Sequence, residues 1–287
     1  MVFDDDRGCT VSDLQDQSVH ARPLDPWAIR IEDRQALSNW RIICLSETRS
    51  TNDVGRRYAT HAYQSCIAIF ADWQSAGRGQ SGRRWIVPPG LGLLGTTIWH
   101  PLIQPCDLQV IVQLAGVAVV DTLASMGIHA GLKWPNDIMI DGSKCGGILV
   151  ESSIEGSALR YVAIGIGLNV LQTREQLPPA TYPATSLLLA TGHAISRTRL
   201  AARLLSDLES LNNSLRDNRV DIFARWKRAL STIGQDVHLS TRDGPVSGQA
   251  EDVHINGALV VRTEDRGTIA ILNGEILQVS TTGPTRP

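Results

Sequence analysis

A chain of 287 residues, 43% hydrophobic and 20% charged, carries enough apolar material for one large domain and a smaller one. Its formal net charge of −2 argues against general affinity for nucleic acid or anionic membranes, because phosphate surfaces reward a basic protein. No uninterrupted apolar run reaches the length of a membrane span, and the opening Met-Val-Phe-Asp-Asp-Asp lacks the layout of a signal peptide.

Residues 1–38 read as an irregular, polar N-terminal arm with prolines at 23 and 26 and room for one short helical stretch. Residues 41–45 read as a strand. Ser50-Thr51-Asn52-Asp53 then supplies helix-capping residue types ahead of a helix over 54–61. The apolar run 65–71 reads as a buried strand, and it delivers the chain into Gly-Arg-Gly-Gln-Ser-Gly-Arg-Arg-Trp at 77–85. Glycine lets backbone N–H groups approach an anion and arginine forks hydrogen-bond it in pairs. On its own the loop reads equally as a basic surface turn, and it matches neither the Walker loop nor the dinucleotide fingerprint.

A strand over 91–99 and a long, apolar, proline-free helix over 107–126 follow, the latter closed by Gly127. Strands are expected over 130–133, 137–140, 147–152 and 161–166. Short links such as Asp141-Gly142-Ser143 suggest hairpins, and hence a mixed or antiparallel sheet. Leucines at 200, 204, 205, 208, 211 and 215 mark one face of a helix capped by Ser196, and a further helix covers 220–230. After Gly234 the grain changes to five short β-branched segments (237–239, 246–253, 258–262, 268–272, 276–279) separated by Asp-Gly, Asn-Gly and Arg-Gly turns. That pattern is a small β-barrel or sandwich.

Three further segments carry chemistry. Lys133-Trp134-Pro135-Asn136-Asp137 sits between two strands, and its mixed polar set is costly to bury without a ligand or partners. Lys144-Cys145-Gly146-Gly147 opens an apolar strand; alone it reads first as a tight hairpin with a solvated lysine, and Cys145 as a small buried thiol. Gly165-Ile166-Gly167-Leu168-Asn169 alternates glycine with apolar residues and so leaves one face of a strand bare for a ligand or another backbone. The five cysteines form no Cys-x-x-Cys and fit a reduced, cytoplasmic setting, and the seven histidines show no metal-ligand spacing.

Taken together and in order, the segments 50–52, 77–85, 133–137, 144–151 and 165–169 resemble the signatures of biotin–protein ligases, over about residues 40–280. The resemblance implies an α+β fold: a mixed, largely antiparallel sheet flanked by helices, like a class II synthetase catalytic domain, over 39–232. An SH3-like C-terminal domain would cover 233–282, with a tail at 283–287. It implies condensation of biotin with MgATP to biotinyl-5′-AMP and transfer to one lysine of the biotin carboxyl carrier domain of a biotin-dependent carboxylase.

By the same similarity Ser50, Thr51, Asn52, Gln74, Gly79, Gln80, Gly147 and Gly165 would serve biotin, with Arg78 and Lys144 on its carboxylate and the α-phosphate. Arg83, Trp85, Lys133, Asn136 and Asn169 would serve ATP, with Asn136 and Asp137 near Mg2+. Lys144, Arg78, Lys133 and Asp137 form the catalytic set, Asp137 being one acceptor for the incoming lysine's proton. Where the family commonly has a second loop arginine this chain has Gln80, so the adenylate is expected to be held less tightly. The stretch before Arg41 is too short and unpatterned for a winged-helix DNA-binding domain, which argues against a repressor. A homodimer through an exposed sheet edge is left open. The competing readings are a lipoate ligase or octanoyl transferase on the same fold, with Cys145 beside Lys144, and a non-catalytic biotin sensor.

Overall fold

The computed structural model describes residues 22–59, 66–101, 103–178, 183–215 and 217–280. Expectations for residues 1–21, for 60–65 between the first long helix and the next strand, and for the tail 283–287 lie outside the described residues.

Seven strands form the main sheet: β1 (Trp40–Thr48), β2 (Cys66–Gln74), β3 (Gly92–Trp99), β4 (Gly131–Lys133), β5 (Asp137–Ile140), β6 (Ser143–Glu155) and β7 (Ala158–Asn169). Their order is β1-β2-β3-β7-β6-β5-β4, with β1 and β2 parallel and every other pair antiparallel. The sheet is therefore mixed and largely antiparallel, as the hairpin signals imply. At the β5–β6 turn Asp141 and Gly142 both take positive φ (46° and 71°), the backbone a two-residue hairpin needs.

Helices cover both faces. Helix α1 is Pro26–Glu32, α2 Thr51–Ala59, α3 Gln109–Ser125, α4 Leu187–Thr191, α5 Arg197–Ser214 and α6 Arg219–Ala229. Helix α2 packs its Val54 and Ala59 with Ile67, Ile69, Ile98 and Ala163 of the sheet. Gly55 makes this approach close, since a Cβ there would lie 2.7 Å from Ile98 Cδ1. On the other face α3 is apolar almost all round, and Ile111, Leu114 and Leu123 are fully buried. Each such side chain contributes ~1.5–3 kcal/mol over leaving it in water. The segment Pro105–Ser125 has the length and hydropathy of a membrane span, but here it is a core helix between the sheet, α5 and α6. Ser196 caps α5 as expected, accepting the Arg199 N–H at 3.3 Å.

Two expectations change. The arm is irregular only in part: Leu24, Ile29 and Leu37 are core residues, and buried Arg197 bonds Asp72 Oδ1 (2.9 Å) and Arg22 O (2.6 Å) to hold the segment down. Strands β6 and β7 are also longer than their apolar runs, so Lys144 to Gly147 lie inside a strand and not before one. Lys144 and Gly147 of this stretch face the site described below, where apolar character gives no signal.

The C-terminal module is a five-stranded antiparallel sheet of β8 (Asp236–Thr241), β9 (Gly244–Val253), β10 (Leu259–Thr263), β11 (Gly267–Ile271) and β12 (Gly274–Ser280), ordered β11-β10-β9-β8-β12. Glycines 244, 257 and 267 at its turns have positive φ, in line with the turn signals.

Candidate active site

A cavity of about 430 Å3 opens over the middle of the main sheet and is roofed by the arginine loop and by β12. Its floor is bare by design of the register: Gly147 stands directly across from Gly167, and Gly165 across from Thr96 and Leu149. A Cβ on Gly147 would meet nothing closer than Asn136 O at 3.8 Å, so it would project into the cavity. A Cβ on Gly165 would come within 2.6 Å of Asn52 Oδ1.

One end of the cavity is the start of α2. Ser50, Thr51 and Asn52 are almost fully buried there, and Ser50 O accepts the N–H groups of Asp53 and Val54 to begin the helix. Thr51 N–H donates to Gln74 Oε1 at 2.7 Å, and Thr51 Oγ1 lies 2.7 Å from Thr96 Oγ1. Thr96 also donates to Asn52 Oδ1 (2.5 Å), while Asn52 Nδ2 donates to Glu151 Oε2 (2.8 Å). This end can orient the amide-like polar edge of an otherwise apolar ligand.

Cationic groups line the rest of the wall. Arg78 stands against the α2 end, with Nη1 2.9 Å from Asp53 Oδ2 in the first turn of that helix and Nη2 3.3 Å from Glu151 Oε2, the oxygen that also accepts from Asn52. The Arg78 hydrogen bond is the main cause that holds the Asp53 carboxyl below the usual range, and Asp53 in turn raises Arg78. Asp137 bridges two lysines: Lys133 Nζ is 3.1 Å from Oδ2, and Lys144 Nζ donates to Oδ1. Burial pushes the Lys133 ammonium below its ordinary value, with Asp137 opposing the shift. Lys144 is also fixed along its backbone, its N–H donating to Pro183 O (2.7 Å) and its carbonyl accepting from Thr185 N–H (2.9 Å).

The loop at 77–85 closes on itself. Gly79 N–H donates to Arg83 O (2.7 Å) and Trp85 N–H to Gly77 O (2.9 Å), and a Cβ on Gly77 would strike Trp85 O at 2.4 Å. Gln80 begins a short 3-10 turn in which Ser81 and Gly82 take positive φ. Arg83 reaches Glu275 of β12, so the C-terminal module supplies part of the wall. The Trp85 indole lies over Gly167, its Nε1 buried without a hydrogen-bond partner, and Lys144 Nζ sits 5.7 Å above its ring. The cavity wall includes each of the residues proposed from sequence for biotin, nucleotide or catalysis.

Several of these side chains, and two motif neighbours, are engaged by the protein itself. Asn136 Nδ2 donates to Ile148 O (2.5 Å), and buried Asn169 has Nδ2 on Thr185 O and Oδ1 receiving Gln172 Nε2, so both brace the wall. Cys145 is a core residue whose thiol is pushed up to about 12 by burial, which removes it as a nucleophile. Trp134 is fully buried with protein partners. Asp53, Thr96 and Glu275 were not foreseen; nothing local marks them. Glu151 was visible only as the end of the 144–151 segment.

The metal expectation can be tested against the donors. Among the described residues no group of three His, Cys, Asp or Glu could hold an ion, and both oxygens of Asp137 face lysines. The set fits a Mg2+ that arrives on substrate phosphates, using at most one carboxylate, and not a resident metal cage.

Comparison with known proteins agrees with this geometry. Residues 45–169 match the biotin/lipoate A/B protein ligase family, and residues 232–277 match the biotin protein ligase C-terminal domain. The biotin--[acetyl-CoA-carboxylase] ligase of Mycobacterium tuberculosis is 32% identical over 265 residues, spanning 90% of this chain and 96% of that protein. The Paracoccus denitrificans protein of the same name is 30% identical over 242 residues, or 76% and 92% of the two chains. Among solved structures, the Aquifex aeolicus biotin protein ligase in complex with biotin and ATP superposes with a TM-score of 0.69. It is 25% identical, covering 82% of this chain and 97% of that one.

Proposed function

The chain belongs to the biotin protein ligase family, and from that premise we propose that it activates biotin with ATP and transfers it to a lysine of a carboxylase carrier domain. The observation that carries the reading is the joining, in one cavity, of a bare glycine floor, a buried amide-binding end and a cationic wall.

In the first step a biotin carboxylate oxygen attacks the α-phosphorus of ATP, an O–P bond forms, and the bond to the β-phosphate oxygen breaks to release pyrophosphate. Two anions must meet, and Arg78, Lys144 and Lys133 supply the opposing charge. Asp53, Glu151 and Asp137 hold those cations in place beforehand, so little reorganisation accompanies the reaction. Mg2+ bound to the triphosphate supplies further charge neutralisation. No side-chain nucleophile is needed; proximity does most of the work.

In the second step a carrier lysine amine attacks the acyl carbon and AMP leaves. The amine must shed a proton, and Asp137, on the cavity wall, is the one carboxylate of the expected catalytic set that could accept it. With Cys145 in the core and its thiol pushed up by burial, that residue does not serve as the nucleophile that the cysteine–lysine chemistry of an octanoyl transferase needs. The described cysteines 44, 66, 106 and 145 are free thiols, which accords with the reducing cytoplasm.

The test is pyrophosphate release with biotin, lipoate or octanoate as the sole acid. Release with biotin alone is expected; equal release with lipoate would overturn the assignment of substrate.

A further inference from the structure

The motif tryptophan at 134 has no place in the chemistry above, yet it sits between Lys133 and Asn136 with no exposed surface. Its partners lie behind the site. The indole Nε1 donates to Gly257 O at 2.8 Å, across 123 residues of chain, and its backbone N–H donates to Thr232 Oγ1 at 3.0 Å. Gly257 belongs to the β9–β10 turn of the C-terminal module, and that turn is seated on α3. Gln113 Nε2 donates to Ile255 O (2.9 Å), and Gly257, at φ +84°, lies so close that a Cβ would come within 2.2 Å of Gln109 Cγ.

Beside it, Ser231 N–H donates to Leu132 O at 2.8 Å, extending the contact to β4. The five residues that carry Lys133, Asn136 and Asp137 are thus held at the front by Lys144 and β6, and at the back by the β9–β10 turn and the Ser231–Thr232 segment that leads into that module.

We propose that Trp134 is a positioning residue that ties the Lys133–Asp137 turn to the C-terminal module, so that the seating of that module sets where Lys133, held by Asp137, meets the phosphates of ATP. A Trp→Phe change keeps an aromatic ring in the core and leaves the Gly257 carbonyl unpaired, and a buried polar group without its partner is expensive. The turn then relaxes, and Lys133 and Asp137 shift with it. The biotin end, built from Ser50, Thr51 and Gln74, does not share these contacts.

The inference rests on the biotin ligase reading. It is tested in the full chain by equilibrium binding of ATP and, separately, of biotin. Trp134→Phe is expected to weaken ATP about tenfold, the scale of one lost buried hydrogen bond, and to leave biotin affinity unchanged. In a Lys133→Ala background the same substitution should add nothing, because its effect passes through the turn. A multiplicative loss there, or equal weakening of biotin, would overturn the proposal and leave Trp134 a core residue only.

If Trp134→Phe fails to fold, Gln113→Leu loosens the same turn from outside the site. It should show the same ATP-specific pattern at smaller size, and unchanged ATP affinity would overturn the proposal. Wild-type protein that binds neither biotin nor ATP would instead sink the ligase reading itself.

Discussion

At the scale of single residues, charge placement decides most of the behaviour. Lys133 is almost fully buried, and burial sets its ammonium below the 10.5 of an ordinary lysine. The cation is the form that binds phosphate. It is complete below the lowered pKa and is lost as pH rises through it, so ATP binding should weaken on the alkaline side before pH 10.5. A Lys133→Arg variant, which stays charged, should abolish that limb; a limb that survives in the variant would assign it to another group. Gln80 is the second case. The resemblance implies an arginine at this place in the loop, and an amide brings no charge to an adenylate. Release of biotinyl-AMP, followed by rapid filtration without acceptor, should slow in Gln80→Arg, and an unchanged rate would show that Gln80 does not set how tightly the adenylate is held.

Elements decide how those residues meet. The glycine floor exists because β6 and β7 pair in the register that sets Gly147 against Gly167. Since a Cβ at 147 has room in the protein but would stand in the cavity, Gly147→Ala should fold with an unchanged melting temperature. It should raise the KM for biotin by about tenfold, one misfitted group's worth of binding energy; a lowered melting temperature with normal KM would make the glycine structural. The roof depends on Arg83 of the loop reaching Glu275 of β12. The pair is solvent-exposed and contributes ~0.2–1 kcal/mol to stability at most. Its expected effect is on ATP: Glu275→Ala should raise the KM two- to fivefold, about the coupling of one exposed ion pair. Because it acts through Arg83, the double variant with Arg83→Ala should be no worse than Arg83→Ala alone. Strict additivity in a double-mutant cycle would separate the two residues.

For the whole molecule, what the sequence reveals follows how local each signal is. The arginine loop, the Lys-Trp-Pro-Asn-Asp turn and the Gly-x-Gly strand are legible because glycine, proline and paired charges leave marks within a few residues. The same holds for the turns of the C-terminal module. Long-range partners are not legible: Asp53 and Glu151 reach Arg78 from different elements, and Glu275 reaches Arg83 across 192 residues. The 133–137 segment read as needing a ligand or partners, and the partner of Trp134, Gly257, could not be named because it belongs to the other module. The buried part of the N-terminal arm was missed for a similar reason, since Ile29 lies in a helix packed against β1 and against α5, far along the chain.

The central claim is that this cavity joins biotin to a carrier lysine through an adenylate. The direct measurement is intact-mass analysis of a carrier domain incubated with the protein, biotin and MgATP, with Lys144→Ala as the control. A gain of one biotinyl group on the acceptor lysine, strictly dependent on ATP and nearly lost in the control, is the predicted result. A carrier of unchanged mass, or equal labelling by Lys144→Ala, would contradict the account.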